Sequence, residues 1–259
     1  MALPFFYIAN YDEQPVIELE EEAARHIVQV LRMKEGDQLH LTNGKGILIL
    51  AEISATEKKY CAVRVLETST QPAPERKVSI AISLVKNPSR FEWFLEKATE
   101  IGISEIIPLI CSRTEKEKFR HDRLNAICIS AMLQSQQVWL PVLHEPVKFE
   151  NMGKWKSENG INLIAHCEEG VKSGLQHLHI STSPHLHIST SPHSHISTSP
   201  HSHISISPHS LICIGPEGDF TPDEIAQALK EGFQPVTLGN TRLRTETAGI
   251  VAASLLVNA

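Results

Sequence analysis

Residues 211–225 read Leu-Ile-Cys-Ile-Gly-Pro-Glu-Gly-Asp-Phe-Thr-Pro-Asp-Glu-Ile. An apolar tetrapeptide, long enough for a buried strand, runs straight into a turn framed by Gly215 and Gly218. The turn then opens a helix: Thr221 at the capping position, Pro222 at the first helical position, and Glu224 at the spacing of a capping box. Pro216 fixes one backbone angle, and Gly218 permits a left-handed conformation or the close approach of a ligand. Strand, rigid turn and capped helix together form the repeating unit of a parallel sheet covered by helices. The turn falls at the carboxyl end of the strand, where open α/β sheets bind ligands. A tight turn with no ligand is the other reading of the same residues.

A second stretch repeats the design. Residues 236–248, VTLGNTRLRTETA, run from a strand through Gly239 into a helix, with Thr245 expected as its cap and Ala248 and Gly249 small enough for close packing. Two rigid loops at strand ends, close in sequence, predict a concave, backbone-lined pocket. The chain has no G-x-G-x-x-G, no G-x-x-x-x-G-K-[ST] and no G-x-S-x-G. That argues against a dinucleotide fold, a phosphate-cradling loop and a hydrolase nucleophile elbow.

Working outward, strands and helices alternate from Val78 onward. Strands are expected at 78–85, 105–110, 161–165, 211–214 and 235–238. Helices are expected from Ser89, with capping-box spacing to Glu92 and an apolar face of Phe91, Phe94, Leu95, Ala98 and Ile101; from Asp122, carrying Leu124, Ile127, Ala131 and Met132; and over 245–257. The first seventy residues differ. Short runs at 4–9, 38–41, 46–53 and 60–66, broken by Glu-Gly and Asn-Gly-Lys-Gly, predict a small β-barrel. One helix, over 20–31, interrupts it, with Ala23, Ala24, Ile27 and Val30 or Leu31 on its face. Residues 68–77, TSTQPAPERK, read as a linker, which places a domain boundary near 72 and gives domains 1–72 and 73–259.

The 259 residues, 41% hydrophobic and 21% charged, suffice for such cores. No stretch of about 18 apolar residues and no secretory leader pattern occurs, so a cytoplasmic location without membrane contact is expected. The five cysteines are odd in number and form no C-x-x-C, which fits reduced, mostly buried thiols and no zinc site. Residues 177–208 are four eight-residue units, from HLHISTSP to HSHISISP, that hold eight of the fourteen histidines. Alternating imidazoles can bind transition metals, but the composition is that of a low-complexity insertion looped out between strands, and no metal site is assigned to it.

Four stretches together carry a resemblance: HIVQVLRMKEGDQLHLTNGKG (26–46), KNPSRFEWFLEKATEIGISEIIPL (86–109), IGPEGDFTPDEI (214–225) and LGNTRLRTETAGIVAA (238–253). The chain closely resembles the uridine-N3 methyltransferases of small-subunit ribosomal RNA in the SPOUT superfamily. The resemblance spans nearly everything but the histidine repeat. It implies a PUA-like RNA-binding barrel followed by an α/β domain whose chain forms a trefoil knot, a homodimer, 16S rRNA or the small ribosomal subunit as partner, and S-adenosylmethionine (SAM) as cofactor. By motif match, one cofactor loop is Ile214, Gly215, Pro216, Glu217 and Gly218, and the other is Leu238, Gly239, Leu243, Arg244 and Thr245. A third loop follows the strand ending at Ala165 and begins with His166, Cys167 and Glu168. Asp219 stands where the family pattern has a second glycine.

Methylation at N3 of a uridine requires loss of the N3 proton and spreads negative charge onto the flanking carbonyl oxygens, so a base and a cation are wanted. Glu246 or Glu217 could take the proton and Arg244 could face the charge. Orientation of the two substrates alone, with no dedicated base, is the alternative. A carboxylate at position 246 also suits the first turn of a helix for purely structural reasons. The formal charge of −6 excludes a uniformly basic RNA binder. Local candidates for RNA contact are Lys86, Arg90 and Arg113, and by resemblance Arg25, Arg32 and Lys34. A non-catalytic RNA-binding protein that keeps the fold is the second functional class.

Overall fold

The computed structural model describes residues 3–115, 118–158, 160–175 and 209–259. The histidine repeat, 177–208, lies outside the described residues. The chain divides into two compact units: residues 1–75 with 95–104 and 120–143, and residues 76–94 with 105–119 and 144–259.

The first unit is built on a five-stranded sheet: β1 (Phe5–Tyr7), β2 (Val16–Glu18), β3 (Gln38–Thr42), β4 (Ile47–Glu57) and β5 (Tyr60–Thr70), in the order β1-β3-β4-β5-β2. All neighbours are antiparallel except β1 and β3. Alternation places Leu39 and Leu41 of β3 and Ile49, Ala51 and Ile53 of β4 in one core with Phe6, Ile17 and Val63. The helix expected over 20–31 is α1 (Glu21–Arg25) continued by a π-helical turn, His26–Val30, in which Leu31 N–H donates to His26 O at 2.9 Å. That wider turn breaks the 3.6-residue spacing. Ala24 and Ile27 stay buried, whereas Val30 and Leu31 are exposed and do not belong to the buried face. The linker is shorter than expected, because β5 continues to Thr70 and the next strand begins at Lys77.

The second unit is a parallel sheet. Its strands are β6 (Lys77–Ser83), β7 (Glu105–Ile110), β9 (Val147–Lys148), β10 (Ile161–Ala165), β11 (Ser173–Gly174), β12 (His209–Ile214) and β13 (Gln234–Thr237); the chain's remaining strand, β8, is Val142–Leu143. The order is β11-β13-β10-β12-β6-β7, with β9 paired to β7, and every pair in it is parallel. Val78–Ser83, Ile161–Ile164 and Ser210–Ile214 are buried without alternation, as strands covered on both faces must be. The helices of this part of the chain are α2 (Pro88–Ile101), α3 (His121–Gln134), α4 (Pro222–Lys230) and α5 (Thr245–Val257), of which α3 belongs to the first unit. Helix α5 lies on β6 and β12. It comes so close that a Cβ on Gly249 would sit 2.6 Å from the Phe94 ring and 2.8 Å from Ile82 Cδ1. No helix among the described residues is long and apolar enough to cross a membrane.

Three helix starts differ from the sequence reading. Helix α2 opens at Pro88, and the Asn87 side chain accepts Ser89 N–H at 3.1 Å, so Ser89 and Glu92 form no capping box. Helix α3 opens at His121, with Arg120 and not Asp122 before it. Helix α5 is preceded by Arg244; Thr245 is its first residue and gives its hydroxyl to Gly215 O at 3.0 Å. The box on α4 is present: Thr221 Oγ1 accepts Glu224 N–H at 3.3 Å, and Thr221 N–H donates to Glu224 Oε2 at 2.8 Å.

Candidate active site

Register brings the three loops together. Ala165 of β10 lies beside Ile214 of β12 on one side and Val236 of β13 on the other, so the chain leaves the sheet at three adjacent points. Between the departing segments is a cavity of about 540 Å³, within the range of small-molecule sites. Of the residues expected at the cofactor, Ala165, His166, Ile214, Gly215, Pro216, Glu217, Leu238, Gly239, Leu243, Arg244 and Thr245 all line it. Gly218 does not; its carbonyl accepts Arg113 Nη1 at 2.6 Å. Lys172, Thr237, Asn240 and Arg242 line it as well and were not singled out in the sequence, and Ala248, expected there only for close packing, is also in the lining.

The loops are fixed before any ligand arrives. A Cβ on Gly215 would lie 3.1 Å from Phe220 N, so a side chain there would push the turn a few tenths of an ångström off Phe220, whose ring packs 5.0 Å from that of Phe149. Asp219 N–H donates to Pro216 O at 2.9 Å. The residue has φ 65°, which explains why a glycine serves the same position in the family pattern. Its carboxylate accepts Phe220 N–H at 2.8 Å and Cys167 N–H at 2.7 Å, which clasps the 214–220 turn to the loop after β10. Glu224 adds a third tie by accepting Ser112 N–H at 2.8 Å.

Two observations bear on whether SAM fits. Gly239 has φ 142°, and a Cβ there would meet nothing within 4 Å, so the backbone is bare toward the cavity. His166 lines the same space with both ring nitrogens buried and without a hydrogen-bond partner. Burial, and then the nearby Lys172 ammonium, hold its pKa below 6.5, so at neutral pH it offers one donor and one acceptor. An amphipathic ligand with ribose hydroxyls and ring nitrogens matches such a lining.

Glu246 lies outside this cavity. It is 6% exposed in the first turn of α5, with Oε1 3.6 Å from Arg90 Nε and Oε2 without a partner. It faces a second hollow of about 300 Å³, lined also by Ser89, Arg90, Trp93, Arg244 and Thr247. Arg244 lines both spaces, which makes it the link between them. Glu217, the other carboxylate weighed as a base, accepts Lys86 N–H at 3.0 Å, while its backbone carbonyl takes Arg242 Nη2 at 3.3 Å.

The candidate RNA cations are engaged to different degrees. Lys86 pairs with Glu115 at 2.7 Å, Arg90 with Glu246, Arg25 with Glu21, and Arg113 with the carbonyls of Gly218 and Phe220. Arg32 is exposed with φ 55°, and the backbone N–H of Lys34 is held by Asp37 at 2.7 Å. Trp93 is the residue that sequence reasoning passed over. It falls off the apolar face formed by Phe91, Phe94 and Leu95, so an outward aromatic was the available signal.

A pocket at the carboxyl ends of adjacent parallel strands, built from glycine turns and joined in one chain to a compact β-sheet unit, defines a ligand-using α/β protein with an appended binding module. The profile of the RNA methyltransferase domain family matches residues 71–257, and that of the RNA methyltransferase PUA domain matches residues 19–66. The chain belongs to the RNA methyltransferase family. It is 29% identical over 242 residues to the Ribosomal RNA small subunit methyltransferase E of Rickettsia conorii, covering 93% of this chain and 88% of that one. The crystal structure of the Neisseria gonorrhoeae Ribosomal RNA small subunit methyltransferase E bound to S-adenosyl methionine superposes with a TM-score of 0.78 at 25% identity, covering 98% and 96% of the two chains. A structure described as a "probable rRNA-methyltransferase" from Porphyromonas gingivalis gives 0.81 at 34% identity, covering 97% and 95%.

Proposed function

We propose that this protein is a SAM-dependent methyltransferase that modifies N3 of a uridine in 16S ribosomal RNA. The observation that carries the reading is the juxtaposition of two spaces sharing Arg244: a glycine-turned cavity sized for a cofactor, and a hollow whose floor holds a buried carboxylate oxygen with no partner. Bound SAM supplies an electrophilic methyl group on a sulfonium sulfur, which keeps the electron pair of the broken bond and leaves as the thioether.

The chain's own residues do the rest. The turns at Gly215 and Gly239 hold the cofactor against bare backbone, and His166, neutral at pH 7, offers its two ring nitrogens. Glu246 accepts the N3 proton of the uracil. That frees the nitrogen lone pair for the new bond, and the burial of Glu246 keeps bulk water from competing for the carboxylate. Arg244, at the junction, stabilises the negative charge that develops on the carbonyl oxygens. Glu217 is a poorer base, because its carboxylate already accepts from the Lys86 backbone.

In this reading residues 1–72 bind RNA, with Arg25, Arg32 and Lys34 as phosphate contacts, and residues 73–259 carry catalysis, with Lys86, Arg90 and Arg113 nearest the RNA. The protein works as a cytoplasmic homodimer, and the chain of the α/β part is knotted. The test is calorimetric titration with SAM, followed by mass spectrometry of treated small-subunit RNA. Saturable binding that disappears in a folded Gly215→Trp variant, together with N3-methyluridine in the product, supports the reading. Binding with no modification of any RNA would leave the non-catalytic RNA-binding class.

A further inference from the structure

We infer that the hollow beside the cofactor cavity receives the acceptor base itself, flipped out of the RNA, and that Trp93 is the platform on which it stacks. This rests on the methyltransferase reading above and adds to it a substrate-binding residue and a rule for choosing the base.

Trp93 is 42% exposed, although its helix neighbours Phe91, Phe94 and Leu95 are buried. A large aromatic face at the rim of a polar hollow is a ready stacking surface, and a nucleobase is the flat partner an RNA-modifying enzyme meets. Enzymes that act on a ring atom must first take the base out of its stack. The polar groups fit one kind of base. Uracil presents an N–H donor between two carbonyl acceptors, and the hollow presents one carboxylate and two guanidiniums, Glu246 with Arg90 and Arg244. The unpartnered Glu246 Oε2 is a buried acceptor in want of a donor, and the N3–H supplies it. With N3 placed at Oε2, cytosine turns a bare nitrogen lone pair toward the carboxylate, and its exocyclic N4 amino group, the donor it does have, lies one ring position away. Specificity then comes from an unpaired buried group in the wrong complex.

The test uses the full-length protein. Oligouridylate is expected to quench tryptophan emission more strongly than oligocytidylate does, and Trp93→Phe is expected to abolish that difference. With small ribosomal subunits as substrate, Trp93→Ala should lower kcat/KM about 10- to 100-fold, the range of one lost base stack. Trp93→Phe should recover most of it, and the SAM affinity of both variants should match the parent. A folded Trp93→Ala protein with unchanged SAM affinity and unchanged kcat/KM overturns the inference. So does conversion of a dimer to a monomer by that substitution, which would assign Trp93 to self-association. Absence of SAM binding by the parent, with the uridine-selective quench intact, would instead sink the methyltransferase reading and leave the base hollow standing.

Discussion

Asp219 offers the sharpest test of how the cofactor turn is held. Its two carboxylate hydrogen bonds, at 2.7 Å to Cys167 N and 2.8 Å to Phe220 N, are partly open to solvent. Each is taken as about 1 kcal/mol net, or about 2 together. The residue also sits at φ 65°, where a side chain that cannot bond locally costs about 1 kcal/mol. Asp219→Ala loses both bonds and, with no local bond to offset it, takes on the cost of φ 65°, a total of about 3 kcal/mol. Asp219→Gly loses the bonds but adopts the conformation freely, a loss of about 2 kcal/mol. Asp219→Asn retains one neutral acceptor and tolerates the conformation, a loss of about 1 kcal/mol. If the clasp holds the turn in its binding form, SAM affinity measured by calorimetry should fall about 150-fold for alanine, about 30-fold for glycine and about 5-fold for asparagine. An alanine variant within twofold of the parent refutes the clasp, and a glycine variant as weak as alanine refutes the backbone part.

Three further outcomes follow from the same geometry. Glu246→Gln should lower the single-turnover methylation rate by about 10²- to 10⁴-fold with SAM affinity unchanged; a loss under threefold would mean that the uridine parts with its proton unaided. Burial pushes the thiols of Cys111 and Cys128 up to about 12 and about 11, and those of Cys61 and Cys213 upward as well, leaving Cys167 as the exposed cysteine. Iodoacetamide should therefore alkylate the native protein first at Cys167, slowly because burial and then Asp219 raise that thiol too. SAM should protect it, and peptide mapping that finds another site first, or no protection, contradicts the pocket's position. Finally, burial holds His40, His166 and His209 below 6.5 in the folded chain. The unfolded chain takes up protons near 6.5 while the folded one does not, so stability is full above that pH and is lost as pH falls toward the folded values. The melting temperature should drop between pH 7.5 and about 5.5, and His166→Gln should shrink the drop; a flat profile would contradict the burial argument.

The cofactor turns were legible because their signals are local. A buried parallel strand is a continuous apolar run, a turn that needs glycine has glycine, and the Thr221–Glu224 box is written into four consecutive residues. The residues that the family motifs imply for the cofactor, Gly218 excepted, line one cavity, whereas spacing alone had left a bare turn possible. The failures are equally physical. Ser89 and Glu92 have the spacing of a capping box, but Pro88 can begin a helix without an N–H to satisfy, and Asn87 supplies the cap. Thr245 looks like a cap until the Gly215 carbonyl, distant in sequence, claims its hydroxyl. The π-helical turn after Arg25 shows no irregularity in its residues. The second hollow was hidden because its two walls, 89–93 and 244–247, meet only in the folded sheet.

Net charge gives the last constraint on how such a chain meets RNA. A protein of formal charge −6 cannot rely on a broad basic field, so each cation near the site matters singly. The pairs Lys86–Glu115 and Arg25–Glu21 have all four side chains at least half exposed. Such pairs are screened by water and weak, so a phosphate can displace the carboxylate at little cost. Arg90 and Arg113 are different. One faces a carboxylate that is 92% buried, since its side chain is 8% exposed, and the other is spent on two loop carbonyls. Pulling Arg90 toward a phosphate would strand a buried carboxylate, and pulling Arg113 away would release the 218–220 turn. On the proposed reading, Lys86 and Arg25 join Arg32 and Lys34 as cations able to meet a phosphate, while Arg90 stays beside the Glu246 carboxylate and Arg113 stays on the 218–220 turn. In the proposed reading the substrate is selected by shape and by one flipped base more than by charge, which suits a folded ribosomal subunit better than a free strand.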